Sequence, residues 1–379
     1  MARNGAYMLL LAVLALISLG LVVLTSVSAY APANGGHAMY FVTRQAMFLG
    51  IGVVACIAMS RWDYHQWSRR SWVLLLVGLL LMAACFVPHI GVKVKGAHRW
   101  MNIGFTRIQP VEIAKFALVG TMAWWFAVKA RHVEAFRDGV FIPLIVLGFT
   151  LVFCVAQQDL GTSALLIMIV VLLMYIAGAP GRYVLPIPLL GFAAILGIAW
   201  TIPQRVKRLT AFMDPEAHKS DGAWQLWNAL LAFGSGGLSG RGLGEGVQKM
   251  YYLPEAHTDF IFPNIGEELG LVFTLLVVLC FLVIALTGGS IACHAPDKLG
   301  VLIGTGVTAL ICLQAMMNMA VVTALMPTKG IGLPFISYGG SNLVMCMGLI
   351  GILLNIHRQA LYAPKKKRGV LPPVVTAGL

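Results

Sequence analysis

Ten stretches of this chain are apolar for long enough to cross a lipid bilayer, and that pattern leaves it few other ways to fold. They lie near residues 7–29, 40–59, 72–88, 110–128, 141–156, 160–178, 183–201, 269–289, 299–325 and 341–357. A crossing helix needs roughly 20 mostly apolar residues to span about 30 Å of hydrocarbon. Only 11% of the residues are charged and 59% are hydrophobic, whereas soluble domains carry about 25% charged residues. A soluble single-core fold and a disordered chain are thereby excluded, and the chain is too large for a small disulfide-stapled scaffold. The expected fold is an all-α polytopic membrane protein of about ten transmembrane helices. No split or short repeat divides the 379 residues, so residues 1–379 are read as one transmembrane domain. It carries a long polar loop at about 202–268 and a basic tail at 358–379.

Direction follows from the basic residues of the short loops. Placing the N-terminus inside collects fourteen of them on the inner side, among them Arg61, Arg69, Arg70 and the run from Lys365 to Arg368. Six remain in short outer loops: Arg44, Lys93, Lys95, Arg99, Arg107 and Lys329. Both termini are therefore expected in the cytoplasm, with the long loop outside. The formal charge of +13 then needs no nucleic-acid partner. A cleaved signal peptide is the competing reading of the first run, which is longer than the usual signal core of about 7–15 residues. The seven cysteines fall almost entirely within apolar runs and show no C-x-x-C pair, so they read as small buried hydrophobes.

The inside-positive pattern fails locally. Residues 93–107 place Lys93, Lys95, Arg99 and Arg107 on the outer side, around Trp100. A solvated loop near headgroups would accommodate any one of them, but the cluster better fits a surface for an anion such as a lipid phosphate. Next, Pro110 and Glu112 form a helix start, and Lys115 lies three residues beyond the acid, on the same face. A structural ion pair is one reading. A group facing a wet cavity is the other, because charges within a span are costly.

The 202–268 loop opens with a second basic group, Gln204-Arg205-Val206-Lys207-Arg208. Residues Trp224 to Phe233 suggest an amphipathic helix lying on the bilayer surface. The glycine run from Gly234 to Gly246 lacks a phosphate-loop pattern and reads as a flexible connection near a substrate. Glu255, His257 and Asp259 follow at two-residue spacing, just before the eighth span. An acid held at the lip of an apolar bundle suits a general base, although Asp259 could equally be a helix cap. Glu267 and Glu268 read as mainly structural. Gln314 and Asn318 share one face of the ninth span and read as interhelical hydrogen-bonders. The Gly- and Pro-rich stretch from Met326 to Ser341 suggests broken backbone lining a protein-enclosed cavity.

Three of these segments together resemble a known family. Leu253-Pro-Glu-Ala-His-Thr-Asp-Phe-Ile-Phe262, Gly96-Ala-His-Arg-Trp100 with Gln109-Pro-Val-Glu-Ile-Ala-Lys115, and Gly332-Leu-Pro-Phe-Ile-Ser-Tyr-Gly-Gly-Ser341 are similar to signatures of the shape, elongation, division and sporulation proteins. Ile265 to Gly270 and the Ile336-Ser337 pair look more like the division branch than the elongation branch. The resemblance implies a peptidoglycan glycosyltransferase of the bacterial cytoplasmic (inner) membrane, which polymerises lipid II on the outer face. It also implies a class B penicillin-binding protein as partner, together with membrane proteins of the division complex. The family's essential aspartate falls on Asp259, its loop arginine on Arg99, and its span-four acid and lysine on Glu112 and Lys115. One departure is Pro263-Asn264, where an alanine and a branched residue are usual.

The chemistry is consistent with this. A sugar hydroxyl must lose a proton as it attacks an anomeric carbon, and the diphosphate leaves as an anion that needs positive charge but no acid. Asp259 is the candidate base. The candidate substrate-binding residues are Arg99, Lys115, Glu112, Arg107, Lys329, Glu255, His257 and Ser337. A divalent cation, Mg²⁺ or Mn²⁺, fits at the diphosphate, with no organic cofactor and no protein-only metal site. An elongation-type polymerase, a lipid II flippase without chemistry and a recruiting scaffold are the alternatives. The presence of a base beside a cationic site argues against the last two.

Overall fold

The helices begin where the sequence supplies a start. Asp63, Asp159 and Asp297 cap three of them, accepting from the backbone N–H of His65, Thr162 and Gly300, and Pro110 opens another at its first turn. A computed structural model describes residues 2–29, 39–94, 96–104, 106–219, 223–251, 253 and 255–362. The basic tail from Lys365 to Arg368, together with Lys95 and Pro254, lies outside the described residues.

In chain order the elements are α1 (Ala2–Ser28), α2 (Tyr40–Arg61), α3 (Tyr64–Ala84), β1 (Gly91–Val94), β2 (Ala97–Asn102), β3 (Arg107–Ile108) and α4 (Pro110–Val128). There follow α5 (Ile142–Ala156), α6 (Leu160–Ala177), α7 (Gly181–Val184), α8 (Pro186–Trp200), α9 (Pro203–Met213), α10 (Trp224–Gly236) and α11 (Gln248–Tyr251). The chain closes with α12 (Ile261–Cys293), α13 (Lys298–Val322) and α14 (Gly340–Tyr362). Among the described residues, ten segments are long and apolar enough to cross a membrane, and α7 with α8 supplies one of them. The interior is built around α4, α6, α13 and α14, each about two-thirds buried over its most apolar stretch, whereas the α7–α8 segment is only 11% buried there.

Three boundaries differ from the hydropathy reading. The third span starts at Tyr64 rather than near residue 72, because exposed Arg69 and Arg70 lie on the outer face of a helix that is already under way. The 89–109 segment, read as a loop, is a three-stranded antiparallel sheet in the order β1-β2-β3. The eighth helical stretch starts at Ile261, but it is broken at Gly270, whose φ of 77° and ψ of −172° are not helical. Residues 271–293 alone span about 35 Å at 1.5 Å per residue, enough to cross, so 261–270 is a further piece folded outside the crossing.

That break is filled by backbone. Leu271 N–H donates to the Gly237 carbonyl at 3.0 Å, and the carbonyls of Glu267 and Glu268 accept from Arg241 and Gly242 N–H at 2.9 and 3.0 Å. The groups a broken helix leaves unpaired are thus satisfied by the glycine run. A side chain at Gly270 would strike the Gly240 nitrogen. The run is a fitted insert, not the flexible connection expected from its composition. The preceding helix, α10, forms where the tryptophan spacing places it, but it is not confined to the bilayer surface. Leu226, Asn228, Ala229, Ala232 and Gly236 are buried, and a methyl group on Gly236 would overlap the Gly266 carbonyl.

Candidate active site

The turn before α12 carries Glu255, His257 and Asp259. Glu255 takes a left-handed φ of 62°, and its carbonyl accepts from Thr258 and Phe260 N–H at 3.0 and 3.3 Å. Thr258 Oγ1 donates to the Glu255 carboxylate at 2.9 Å. Glu255 therefore builds the turn. The His257 ring stacks on Phe41 of α2 at 4.3 Å between centroids, with 12° between the planes.

Four consecutive carbonyls of this turn are each held by a different donor. Ala256 accepts from Asn264 Nδ2 at 3.0 Å, His257 from Tyr338 N–H at 2.9 Å, Thr258 from Ser337 Oγ at 2.7 Å and Asp259 from Asn318 Nδ2 at 2.8 Å. The departure at Pro263-Asn264 thus gains a function, since Asn264 reaches back to hold the turn. Ser337, a candidate substrate contact from its sequence, is 5% exposed. Its hydroxyl is engaged on both sides, because it also accepts from Leu333 N–H at 2.7 Å. It is part of the scaffold that holds Asp259, not a surface for substrate.

Arg99 reaches the same place from the sheet. In the β1–β2 ladder Val92 pairs with Trp100 and Lys93 with His98, so Arg99 is the extra residue of a bulge. Such bulges re-aim a side chain. Arg99 Nε donates to the Gln157 carbonyl at 3.0 Å and Nη2 to the Gln158 carbonyl at 2.6 Å. Arg205 of α9 donates to that same Gln158 oxygen at 2.5 Å. The carbonyl is presented by a left-handed φ of 60° at Gln158.

Gly330 lies close to both the base and Arg99. A methyl group built there would stand 3.0 Å from Asp259 Oδ2 and 3.9 Å from Arg99 Nη1. Its neighbour Lys329 is mostly enclosed. Burial first, and then Arg205, hold its ammonium below the ordinary lysine range, with Asp159 opposing. Arg205 is likewise lowered, by burial and then by Arg99 and Arg208. Asp159 is 3% exposed and accepts from Thr162 Oγ1 at 2.8 Å. The geometry therefore brings Asp259 and Arg99 together at Gly330, with Arg205 on the Gln158 carbonyl that Arg99 also uses and the buried Asp159 acting on Lys329 from below.

Other candidates lie elsewhere. Arg107 is exposed on β3, across from Asn102. Glu112 and Lys115 form a buried pair at 2.8 Å, 9% and 5% exposed, and Lys115 Nζ also donates to Gln314 at 2.9 Å. Neither is presented to a phosphate at the bundle surface. A buried cationic side chain is tolerated because it is paired in this way, and both residues act inside the bundle. Among the described residues no group of three or more His, Cys, Asp or Glu side chains could hold a metal ion.

The sequence reading did not single out Asp159 or Lys249. Asp159 carries a cap signature, an acid three residues before Thr162 at a span start. Lys249 had no such signal, and its partner is set by the fold. Its Nζ lies 2.5 Å from Glu268 Oε1, with both side chains fully buried, and Ser26 of α1 bonds to the same pair. Glu267 accepts from Val247 and Gln248 N–H at 2.9 and 3.1 Å. Both acids are structural, as expected.

The sequence model of the cell cycle protein family of FtsW, RodA and SpoVE matches residues 7–362. A protein named "Probable peptidoglycan glycosyltransferase FtsW" from Geobacter metallireducens is 38% identical over 355 residues, covering 93% of this chain and 94% of its own. Stage V sporulation protein E of Bacillus subtilis is 35% identical over 359 residues, with 94% and 97% covered. A chain solved in work on polymerization and crosslinking by a peptidoglycan synthase complex superposes with a TM-score of 0.76, at 23% identity and 94% and 98% coverage. RodA of Thermus thermophilus superposes with a TM-score of 0.66, at 25% identity and 93% and 96% coverage.

Proposed function

The chain belongs to the FtsW, RodA and SpoVE cell cycle protein family, and on that premise we propose that it is a peptidoglycan glycosyltransferase of cell division with Asp259 as its base. The substrate is lipid II, polymerised at the outer face of the cytoplasmic membrane. The observation that carries the site assignment is the nearness of both Asp259 and Arg99 to Gly330, with Arg205 donating to the Gln158 carbonyl that Arg99 also uses.

Asp259 takes the proton from the acceptor sugar hydroxyl as that oxygen forms its bond to the anomeric carbon of the donor. The bond from that carbon to the diphosphate breaks, and the lipid diphosphate leaves with both electrons. Such a base typically contributes 10²–10⁴-fold. The departing charge develops beside Arg99, Arg205 and Lys329, whose positions are fixed before the reaction, so little reorganisation is needed. Burial of Lys329 strengthens its pull on an incoming anion, because it lies in a medium of lower dielectric than water. One carboxylate suffices, since the leaving group needs no proton.

Among the described residues no three His, Cys, Asp or Glu side chains gather at one point where they could hold a metal ion. A divalent cation would be held chiefly by the substrate's own phosphates, and the steps above are carried by the chain's residues. The synthase-complex likeness supports a crosslinking enzyme of the class B penicillin-binding type as partner. The test is polymerisation of labelled lipid II by the purified chain with that partner. Asp259→Ala is expected to abolish polymer while retaining fold and partner binding, and full polymer from that variant removes Asp259 as the base.

A further inference from the structure

We propose that Asn318, together with Gln314 one turn before it on α13, is a positioning residue of the glycosyl transfer, fixing the base-bearing turn against the segment that carries Lys329. This rests on the glycosyltransferase reading above. Asp259 and Lys329 belong to segments far apart in sequence, so their separation must be set by something that touches both. Asn318 does so with one amide group. Its Nδ2 donates to the Asp259 carbonyl at 2.8 Å and to the Ile331 carbonyl at 2.6 Å, and the residue is 2% exposed. Both protons of the amide are used, one on each segment. Its Oδ1 is buried with no hydrogen-bond partner among the described residues, so this side chain is placed for its donors.

Gln314 repeats the arrangement. Its Nε2 donates to the Gly332 carbonyl at 3.0 Å and to Asn342 at 3.3 Å, and its Oε1 accepts from Lys115 Nζ at 2.9 Å. An ammonium can only donate, so Lys115 forces the amide oxygen toward itself and the NH₂ toward Gly332. Glu112 holds Lys115 at 2.8 Å. The buried pair that does not reach the phosphate site thus acts on it indirectly, by preventing Gln314 from flipping. The line from Glu112 through Lys115 and Gln314 ends on the residue after Ile331, where Asn318 takes over.

The test compares two buried amides in the full chain with its partner. Asn355 is fully buried at the opposite end of the bundle and donates to the Ser60 carbonyl at 2.7 Å. Asn318→Ala and Asn355→Ala are each expected to lower Tm. Only Asn318→Ala is expected to lower kcat, by roughly 10- to 100-fold with KM for lipid II held within about twofold, as misplacement of reacting groups predicts. Asn318→Leu, which keeps the volume, adds no charge and lacks the donors, should behave like Asn318→Ala and covers the case in which the alanine variant does not fold. Hydrogen exchange gives a readout independent of activity. The amides of Thr258, Phe260 and Leu333 should exchange faster in the Asn318 variants and not in Asn355→Ala. Wild-type kcat, equal loss in both alanine variants, or unchanged exchange at those amides would overturn the inference. A wild-type protein that makes no polymer would instead overturn the glycosyltransferase reading, with the exchange result still deciding what Asn318 does.

Discussion

Arg99 and Arg205 donate to one oxygen, the Gln158 carbonyl, at 2.6 and 2.5 Å. The two guanidinium groups repel each other, as the lowering of the Arg205 pKa by burial and then by Arg99 shows, and a backbone carbonyl offsets only part of that repulsion. An anion arriving there gains from both charges. Arg205→Ala is expected to lower kcat/KM for lipid II polymerisation on the order of 10- to 100-fold, and Arg205→Lys to recover only part of it, since an ammonium lacks the planar fork. Steady-state kinetics on the partnered protein check both.

Lys329 makes stability and activity oppose each other. Its ammonium is disfavoured by burial and by Arg205, so the folded-state pKa lies below the unfolded one. The unfolded chain binds the proton more tightly, so the charge costs stability at every pH below the folded pKa, and the cost fades as pH rises from there to the unfolded value. Lys329→Met should therefore raise Tm at neutral pH, with the gain shrinking in alkaline buffer, while polymerisation falls on the order of tenfold. Thermal unfolding across pH, paired with the polymer assay, separates the two effects.

At Gly330 the limit is space. A methyl group would come within 3.0 Å of Asp259 Oδ2, and Gly330 itself is exposed, so a larger side chain blocks the site without disturbing the core. Gly330→Val should abolish polymer with Tm unchanged, and Gly330→Ala should fall between. Normal polymer from the valine variant would place the reaction elsewhere.

Lys249 and Glu268 are a fully buried pair, for which removing one partner is far worse than removing both. Lys249→Met alone should destabilise by about 3–5 kcal/mol, because it strands a buried carboxylate. Adding Glu268→Leu should return most of that loss. Denaturation in detergent, run as a double-mutant cycle, gives the coupling.

The spans and their number were legible in the residues because hydropathy is a local property. Arg99 stood out as a basic residue in a short loop expected outside, and Asp259 as an acid at the lip of an apolar bundle. The bulge that aims Arg99 could not be read, since it depends on the β1–β2 register. Nor could Lys249, a lone lysine whose acid lies 19 residues on and is brought to it by the break at Gly270. Ser337, Glu112 and Lys115 were legible as polar groups in apolar surroundings. Their work, which is to hold other groups in place, depends on partners that only the fold supplies.

The break at Gly270 also bears on how the chain is assembled. Residues 237–249 are synthesised before Glu267 and Glu268, and they carry the amide groups and the lysine that these two acids require. Glu267 and Glu268, which come just before the eighth crossing, therefore emerge after the groups that pair with them have already been made. Exchanging the order of these two segments would leave two carboxylates bare until their partners followed.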